Sequence, residues 1–476
     1  MMLSPASTDV TVIGGGFAGL AAALRLHRAG AKVRIIEKRA FFGGRAYSFR
    51  EPKTGETVDN GQHLLMGCYE ETFAFLKELG TFDRLDIQKS LRVAFSEGPG
   101  QTFELACPNL PAPLHLAWGL FRYRGLNFSD KRGMARLMGL AKKSGGSDPK
   151  LDAQSIEELL RQTGQTDSAI RKFWEPLALA TVNERLDLAS AQLFTEVLRR
   201  ALLSSKADSR LVLSKVGLSE LYANPAQRYF EEACAPIHFN TQVLAVRREG
   251  ARFRIETNRG LSSRAPASDP LGSPVVDPSA PSGPRDDTNT LLTDKILLAI
   301  PPNAAAKLLQ ASDTDLQTLL PELHRFGSAP IVSINLWYEG FRPRHRMLGL
   351  VDSPIHWIFD KAKILSAEKP EHITLVVSGA HALAGESKEA LLALAEREVQ
   401  KFYPELAGKR PHHGQVVKEL EATFSARKGL AAYRPGPRTA SAGIFLAGDW
   451  TDTGLPATIE GAVLSGHKAA AAILES

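Results

Sequence analysis

Apolar and polar positions in the first forty residues follow a strand, turn, helix, strand order. A short apolar run at residues 10–13 leads into the glycine-rich stretch Gly14-Gly15-Gly16-Phe17-Ala18-Gly19. Leucines then recur at helical spacing up to Gly30, and a second apolar run follows at residues 33–36. The pattern predicts one βαβ unit with the glycines at its first turn.

The pattern changes further along the chain. Residues 103–221 are rich in Leu, Arg and Trp without evident strand alternation, so we predict a mostly helical insertion. Alternation returns in "QVLAVRREGARFRI", while "IVSINLWYEGF" and "HITLVVSGA" are typical of strands in a second sheet. "SKEALLALAEREVQKFYPEL" predicts an amphipathic helix, and the C-terminal stretch predicts a strand, a loop and a helix.

Residues 261–293 interrupt this rhythm. They are dense in Pro, Ser and Asp and hold few residues that could form a core, so we predict a disordered excursion. Because strand-like segments lie on both sides, a long hairpin loop is favoured over a domain linker. A docking segment is the alternative interpretation.

Composition excludes several classes of protein. Hydrophobic residues make up 43% of the chain and charged residues 23%, as in ordinary globular proteins. Three widely spaced cysteines without a CxxC pair favour a reducing compartment. We expect neither a transmembrane helix nor a secretory signal, because the chain lacks a run of about 18 apolar residues and its N-terminus lacks a basic start before an apolar stretch.

The net charge of +6 leaves two interpretations open. A solvated basic surface is the simpler one, and attraction to anionic lipid or to a phosphate-rich cofactor is the other. No dense Lys/Arg block with interleaved aromatic residues occurs in the sequence, so we expect no nucleic-acid partner.

The glycine stretch forms a G-x-G-x-x-G motif after a strand and before a helix. Gly14 allows the tight turn, Gly16 allows close approach of a pyrophosphate, and Gly19 allows helix and strand to pack closely. Glu37 ends the next strand, where a carboxylate accepts both hydroxyls of an adenosine ribose and repels a 2′-phosphate. The motif therefore predicts a dinucleotide site, with a ligand-free glycine turn as the alternative.

Two further motifs lie far apart in the chain. Gly43-Gly44-Arg45 brings backbone N–H groups and one cation to a second phosphate or to a flavin edge, although a surface turn has the same composition. Gly448-Asp449 follows a strand and precedes a helix predicted to start near residues 458–461. That carboxylate suits ribityl hydroxyls, and the helix N-terminus suits the flavin pyrimidine, while a capping Asp is the alternative.

Together the three motifs resemble the flavin amine oxidase and phytoene desaturase superfamily, over residues 8–67 and 444–471. "DNGQHLLMG" followed by Tyr69, and "FWEPLALATVNERLDLASAQLF", look most like the squalene-associated FAD-dependent desaturases, the hydroxysqualene dehydroxylases. The resemblance implies an α/β fold: a Rossmann-like FAD-binding domain split across the chain, plus an α+β substrate domain with a helical insertion. The long Pro/Ser excursion departs from the family.

From the resemblance and the length of the chain we predict at least two closely associated domains. FAD binding is assigned to residues 1–100, 226–310 (with the insertion 261–293) and 431–476. A helical substrate or membrane-facing domain is assigned to residues 101–225, and further substrate-domain elements to residues 311–430. The residues expected to contact FAD are Gly14, Gly16, Ala18, Gly19, Glu37, Lys38, Gly44, Arg45, Gly61, Gln62, Val243, Gly448, Asp449, Ile459 and Ala462.

The family's activity implies that the hydroxyl of hydroxysqualene leaves as water and that reduced FAD supplies hydride. An acid must then stand near the hydroxyl, and His63 and Glu175 are the candidate catalytic residues, with Asn183 also considered. Flavin packing is the alternative for His63, and a helix-end salt bridge is the alternative for Glu175. Asp59 is expected to hold its loop. No second His or Cys stands at ligand spacing from His63, so we predict no metal.

Other functions remain open at this point: a carotenoid desaturase, a flavin amine oxidase, or a flavin-bearing scaffold without activity. No lysine is singled out beside the flavin, which argues slightly against an amine oxidase. An apolar set suits either a lipid tunnel or a simple core, and comprises Trp118, Phe121, Phe173, Trp174, Leu177 and Leu179.

The expected partners follow from the expected substrate, an isoprenoid lipid. They are a hydroxysqualene-forming synthase and an external electron donor, since the chain has no second dinucleotide motif. We expect a cytoplasmic protein at the inner face of a membrane, in peripheral contact through "LPAPLHLAWGLFRYRGLNF", which mixes Trp, Phe, Leu and Arg as interfacial helices do.

Overall fold

The computed structural model describes residues 8–144, 148–259, 289–365 and 371–476. The strands are β1 Asp9–Ile13, β2 Lys32–Ile36, β3 Ser48–Arg50, β4 Thr57–Asp59, β5 Leu65–Met66, β6 Leu85–Ile87, β7 Arg92–Gly98, β8 Gln101–Ala106, β9 Leu211–Ser214, β10 Ile237–His238, β11 Val243–Glu249, β12 Arg252–Thr257, β13 Thr290–Thr293, β14 Lys295–Leu298, β15 Ser328–Trp337, β16 Met347–Leu350, β17 Trp357–Asp360, β18 His372–Val377, β19 His413–Phe424 and β20 Ile444–Leu446.

The α-helices are α1 Phe17–Arg28, α2 Glu70–Glu78, α3 Leu114–Arg122, α4 Phe128–Lys143, α5 Pro149–Asp152, α6 Ile156–Gln162, α7 Asp167–Ala169, α8 Glu175–Val182, α9 Ala191–Leu198, α10 Asn224–Glu232, α11 Pro302–Gln310, α12 Thr314–Gln317, α13 Lys361–Ile364, α14 Lys388–Phe402 and α15 Ile459–Leu474. Stretches of π-helix span Ile170–Trp174, Arg199–Leu203 and Ser219–Ala223, and short 3-10 helices span Phe82–Arg84, Pro321–Arg325, Pro404–Leu406 and Ala431–Tyr433. In the described ranges, no helix has the length and hydropathy needed to cross a bilayer.

A five-stranded parallel sheet gathers strands from three distant parts of the chain, in the order β10-β2-β1-β14-β20. Val12 of β1 lies between Ile35 and Leu297 of its neighbours, and all three side chains are fully buried. Such burial on both faces is typical of a parallel sheet covered by helices. The predicted α/β class, with its Rossmann-like part split across the chain, is confirmed.

A second sheet of seven mostly antiparallel strands has the order β19-β15-β18-β17-β16-β7-β8. Its neighbouring strands β15 and β18 are the two predicted from "IVSINLWYEGF" and "HITLVVSGA", with Ile334 opposite Leu375. The predicted amphipathic helix is α14, which buries Leu391, Ala395 and Val399 along one stripe. This sheet forms the α+β part of the predicted fold.

The predicted mostly helical insertion at residues 103–221 contains helices α3 to α9, and it also has a strand at each end. Strand β8 pairs with β7, and β9 pairs with β5 and β6. Strand β9 has only four residues, and its partners lie far away in sequence, so it leaves no local alternation to detect. The predicted boundary at residue 100 falls between β7 and β8, inside one hairpin; the rest of the division into segments stays a prediction.

Part of the predicted excursion at residues 261–293 lies outside the described residues, which resume at residue 289. Its last four residues form β13, which pairs with β12 in a three-stranded antiparallel sheet together with β11. The expected connection between two strands therefore has β12 before it and β13 after it, and these two strands pair with each other. Residues 290–293, which were predicted as part of the excursion, belong to a strand instead. A four-residue strand such as "TLLT" is too short to show an alternation of apolar and polar residues that would distinguish it from a loop.

Helices α1 and α15 cross at a point where Gly466 leaves no room for a side chain. A Cβ at Gly466 would lie 2.3 Å from the carbonyl oxygen of Ala18, within the turn of α1 nearest to the glycine motif. Helix α15 buries its small residues Ala469 and Ala470 against the same partner layer. The two ends of the chain are thus joined by backbone-to-backbone packing.

We therefore expect Gly466→Ala to lower the free energy of unfolding by about 1–3 kcal/mol, the usual penalty for overpacking a core, and to lower the flavin content of the purified protein. Gly139→Ala in α4 is the matched control, since its Cβ would meet no atom of the described residues within 4 Å. It should leave stability unchanged or raise it by up to about 1 kcal/mol through helix propensity. Urea unfolding measures both, and equal midpoints for the two variants would contradict the packing argument.

Candidate active site

A cavity of about 800 Å³ is lined by residues of both large sheets and of helices α1, α3, α8 and α15. Its lining joins the glycine motifs to a large set of apolar side chains, with further polar groups such as Asn183, Arg200 and Glu421. The apolar part includes Leu91, Phe95, Leu116, Leu120, Met138, Phe173, Leu177, Met347, Trp357 and Phe359. A cavity with this division suits a ligand or ligand pair with one polar and one hydrocarbon end.

The glycine motif presents bare backbone to the cavity. Gly14 has φ +108°, and a Cβ there would lie 2.5 Å from the carbonyl oxygen of Ala299. A Cβ on Gly44 would lie 3.0 Å from the Cα of Gly16, so the first two glycine motifs touch each other. Helix α1 begins here, and no described side chain caps its N-terminus. An uncapped helix start behind glycines fits the pyrophosphate of a dinucleotide.

Glu37 ends β2 and is buried beside this turn. Its Oε2 accepts a hydrogen bond from the Gly15 N–H at 2.8 Å, and its Oε1 accepts one from the Arg39 N–H at 2.9 Å. A carboxylate has about four acceptor positions, so two remain for ribose hydroxyls. The position predicted for Glu37 from the strand–turn–helix pattern agrees with this geometry, while its contact with a cofactor stays a prediction.

The second and third motifs meet through an ion pair. Arg45 Nη2 donates to Asp449 Oδ1 at 2.6 Å, across 404 positions of the chain, and Arg45 Nη1 donates to the carbonyl of Ala422. Helix α15 begins at Ile459, as predicted, and the Thr458 hydroxyl accepts from the Gly461 N–H at its N-terminus. The ion pair therefore fixes Gly-Gly-Arg against the loop between β20 and α15.

Arg434 supports the same loop from beneath and was not singled out in the sequence. Its guanidinium donates to the carbonyl oxygens of Asp449, Thr451 and Leu455. Burial lowers the pKa of Arg434 to about 10, which leaves it charged at neutral pH. "YRPGPR" reads as a surface turn, so only the folded chain shows that this arginine organises the Asp449 loop.

The other predicted cofactor residues line the cavity with one exception. Those in the lining are Ala18, Lys38, Gly61, Gln62, Val243, Gly448, Ile459 and Ala462. Gly19 lies behind the turn, where a Cβ would meet the Gly14 carbonyl oxygen at 2.0 Å, so its part is packing and not ligand contact. Among the described residues, no group of three or more His, Cys, Asp or Glu side chains is placed to hold a metal ion.

The "DNGQHLLMG" loop is fixed by a buried ion pair. Asp59 Oδ2 accepts from Lys361 Nζ at 2.9 Å, and Asp59 Oδ1 accepts from the Ser48 hydroxyl and the Leu218 N–H. Burial by itself would raise the pKa of Asp59, but the Lys361 charge and these hydrogen bonds outweigh it and hold that pKa below its usual value. The predicted loop-holding role of Asp59 agrees with these bonds.

Lys361 also donates to Gln62 Oε1 at 2.8 Å, and so reaches the cavity lining through that amide. Its side chain is only 3% exposed. The sequence singled out no lysine near this loop, because "FDKAKIL" is a short polar stretch far along the chain. Its place at the end of β17 brings it to the loop.

His63 lies in the lining and is held by its own loop. Its Nδ1 lies 2.8 Å from the carbonyl oxygen of Gly61. Because that oxygen only accepts, Nδ1 carries the proton, and Nε2 of the neutral ring is an acceptor. Burial lowers the pKa of His63, and Lys361 adds to that effect, although the Asp59 carboxylate opposes it. At neutral pH most His63 rings are therefore uncharged.

The two other acid candidates are placed differently from His63. Glu175 is exposed at the start of α8 and outside the cavity lining, so the structure does not bring it together with His63. Phe173 of the π-helical stretch and Leu177 of α8 line the cavity, whereas Glu175 between them does not. Asn183 reaches the lining, but its amide is occupied by the Thr423 hydroxyl and the Gly379 N–H.

The predicted apolar set divides into three groups. Phe173, Leu177 and Leu179 line the cavity. Trp174 is fully buried in the core, with its indole N–H donating to Gln165 at 2.7 Å. Trp118 and Phe121 are exposed on α3. The lipid-tunnel interpretation thus applies to the first group alone.

Comparison with known proteins gives a family and relatives of the same length. The profile described as flavin containing amine oxidoreductase matches residues 17–474. The chain is 29% identical to hydroxysqualene dehydroxylase of Rhodopseudomonas palustris over 479 residues, covering 98% of this chain and 99% of that protein. It is 29% identical to hydroxysqualene dehydroxylase of Sinorhizobium fredii, covering 97% of each. A triple mutant of putrescine oxidase, from a structure-based redesign of cofactor binding, shares the fold with a TM-score of 0.70 at 17% identity, covering 98% of this chain and 99% of that one.

The ion pair between Asp59 and Lys361 predicts strong coupling in a double-mutant cycle. Lys361→Met leaves a buried carboxylate and Asp59→Asn leaves a buried ammonium, so each should lower the free energy of unfolding by about 3–5 kcal/mol. The double variant should lose clearly less than the sum of the two. Urea unfolding measures all three, and strictly additive losses would show that the pair does not stabilise this loop.

Proposed function

Since this chain belongs to the flavin-containing amine oxidoreductase family, we propose that it is an FAD-dependent enzyme that reductively removes the hydroxyl group of hydroxysqualene to give squalene. Membership makes it a flavin oxidoreductase, and the proposal adds the substrate and the direction of reaction. Its similarity over nearly full length to two hydroxysqualene dehydroxylases supports that choice.

The change of polarity along the loop that lines the cavity is the observation that carries the proposal. In that loop the polar Gln62 and His63 are followed directly by the apolar Leu64, Leu65 and Met66, and all five line the cavity. A triterpene alcohol has one hydroxyl in a long hydrocarbon, and so needs one polar position beside extended apolar walls.

The residues present fit FAD. Glu37 is proposed to hold the adenosine ribose, the uncapped start of α1 and Gly44 the pyrophosphate, and Asp449 the ribityl hydroxyls. Val243 begins β11 at the cavity and is proposed to pack on the adenine. The positive end of α15 is proposed to stabilise negative charge on the flavin pyrimidine. When bound and reduced, FAD supplies a hydride, which is the reducing equivalent that this reaction consumes.

His63 is proposed to bind and protonate the leaving hydroxyl. In the protonated ring Nδ1 keeps its bond to the Gly61 carbonyl, so Nε2 is the group that transfers a proton to the substrate oxygen. The C–O bond then breaks with its electron pair on oxygen, water leaves, and an allylic cation accepts the hydride. A lowered pKa makes the protonated imidazole a stronger acid, which suits a poor leaving group.

The apolar walls protect that cation. Phe95, Phe173, Trp357 and Phe359 line the cavity together. Aromatic faces carry negative quadrupole density, which stabilises a nearby cation, and the hydrocarbon lining keeps out water that would capture it. The electron donor that reduces FAD, the hydroxysqualene-forming synthase as a partner, and the location at the inner face of a membrane stay predictions.

The proposed role of Glu37 predicts a selective loss of FAD. Glu37→Gln should weaken FAD binding about tenfold or more, the usual effect of losing a charged hydrogen bond, because the amide cannot accept from both ribose hydroxyls. Binding of FMN, which lacks the adenosine, should change much less. Fluorescence titration of apoprotein with each flavin measures this, with the exposed substitution Glu249→Gln as control. An equal loss for both flavins would contradict the ribose assignment.

The activity itself is tested with the purified holoenzyme. FAD is reduced without oxygen, hydroxysqualene is added, and the 450 nm band and the products are followed together. We expect about one squalene for each FAD reoxidised, since one hydride reduces one allylic cation. No squalene, combined with desaturation of a phytoene-type polyene or with bleaching of the flavin by an amine, would overturn the proposal.

The role of His63 adds a pH dependence with a definite sign. Because the protonated ring is the donor and its pKa is lowered, single-turnover rates should rise as pH falls towards that pKa and level off below it. His63→Gln should slow the step by about 10²–10⁴-fold, the usual contribution of an acid, and remove the pH dependence without loss of FAD. An unchanged pH profile in this variant would mean that His63 does not deliver the proton.

A further inference from the structure

Helix α3 carries an apolar stripe on its solvent side. Leu114, Trp118 and Phe121 recur at helical spacing and are 57%, 50% and 70% exposed, and Phe128 at the start of α4 is 83% exposed. The rings of Trp118 and Phe121 lie 6.2 Å apart, so they form one patch. Single exposed apolar residues are ordinary, but a contiguous aromatic and aliphatic stripe marks an interaction surface.

The opposite side of the same helix reaches the cavity. Leu116 and Leu120 are 4% and 9% exposed and lie in the cavity lining. Helix α3 is therefore apolar on both sides, and a single helix separates the exposed stripe from the apolar end of the proposed substrate site. A helix that is apolar all round is stable where both sides meet apolar surroundings.

The charges in the segment that carries the stripe are almost all of one sign. Between residues 110 and 144 the cations are Arg122, Arg124, Lys131, Arg132, Arg136, Lys142 and Lys143. The one acid in that range is Asp130, which is 1% exposed and bonded to the Thr166 hydroxyl and the Asn127 N–H. None of these seven cations forms an ion pair with another residue in the described part of the chain. Such a surface is complementary to anionic headgroups.

An open groove with three cations adjoins α3. Its lining includes Lys89, Lys206 and Arg210, together with Gln88, Ser90 and Asn109, and contains no carboxylate. Lys206 donates to Asn109 at 2.8 Å, just ahead of α3, and the His115 ring on α3 lies 3.2 Å from the Ser209 hydroxyl. These contacts join the groove to the helix, and the cationic lining suits a phosphate group.

Arg210 also lies in the lining of the groove. Its Nε is buried and no described residue accepts a hydrogen bond from it, while the side chain as a whole is half-buried. Its guanidinium therefore adds a third positive charge to the lining.

We propose that α3, the start of α4 and this groove form a docking surface for a bilayer that contains anionic phospholipid. The stripe enters the acyl region, the surrounding arginines and lysines face the headgroups, and one lipid phosphate lies against Lys89, Lys206 and Arg210. Helix α3 then lies between the hydrocarbon of the membrane and that of the cavity. The benefit for an isoprenoid substrate rests on the proposed function, whereas the docking itself does not.

Vesicle binding by the full holoenzyme tests the surface directly. Vesicles of phosphatidylcholine are compared with vesicles that also contain phosphatidylglycerol, by co-sedimentation and by tryptophan fluorescence. Trp118 is 50% exposed, whereas Trp174, Trp337, Trp357 and Trp450 are at most 6% exposed, so a blue shift on binding reports the stripe. We expect binding to the mixed vesicles that weakens as salt rises, as headgroup attraction requires.

Matched variants separate the parts of the surface. Trp118→Ser with Phe121→Ser should weaken partitioning about tenfold or more, given the apolar area removed from lipid. Lys89→Ala with Lys206→Ala should weaken binding to the mixed vesicles and leave binding to phosphatidylcholine alone unchanged. Leu474→Ser is the control, since Leu474 is an exposed apolar residue on α15 and should have no effect.

Several outcomes would overturn the proposal. Sedimentation of both double variants with mixed vesicles at the wild-type level would exclude the surface. Absence of wild-type binding, together with an oligomer that dissociates in the Trp118→Ser/Phe121→Ser variant, would show that a second copy or another protein covers the stripe. Turnover of detergent-dispersed hydroxysqualene is measured in parallel. If it fails in all samples while vesicle binding follows the expected pattern, the proposed function falls and the docking surface stands.

Discussion

The buried ion pair between Asp59 and Lys361 is the interaction on which the site depends. It joins residues 302 positions apart: Asp59 is the last residue of β4, and Lys361 is the first residue of α13, directly after β17 of the seven-stranded sheet. A carboxylate in this position is tolerated because the ammonium, a hydroxyl and a backbone N–H all stabilise its charge. The pair thereby fixes the loop that carries Gly61, Gln62 and His63, and it couples the placement of that loop to the second sheet.

The same loop marks the change from polar to apolar lining in the cavity. On one side, charges are held by partners of their own: Glu37 by two backbone N–H groups and Asp449 by Arg45. On the other side, the chain continues as Leu64, Leu65 and Met66. Under the proposed function, this one segment would place a polar cofactor beside a hydrocarbon, which is the condition for hydride transfer to a carbon that water must not reach.

Local signals in the sequence predicted the parts of the fold that depend on local physics. The βαβ unit, its glycines and Glu37 follow from spacing within forty residues, and the start of α15 follows from Thr458 and the small residues after it. The structure shows what spacing cannot: Lys361, Arg434 and Arg45–Asp449 act through contacts between distant segments. The segment "FWEPL" does not reveal which side of its helix meets the cavity, so the sequence could not place Glu175 outside the lining; its catalytic role stays a prediction. Strand β9 was missed because its partners are remote.

The two apolar sides of α3 are another feature that local sequence does not reveal, because spacing alone does not show what each side of a helix contacts. The sequence pattern of an apolar helix with arginines at its end fits a core helix and an interfacial helix equally well, because both bury hydrocarbon. The structure separates the two sides. Leu116 and Leu120 are buried and line the cavity. Leu114, Trp118 and Phe121 are each at least half exposed among the described residues. Hydrocarbon exposed beside unpaired cations is stabilised best by a surface that is both apolar and anionic. A bilayer with anionic headgroups meets both conditions at once, and it is also the phase in which a triterpene alcohol dissolves.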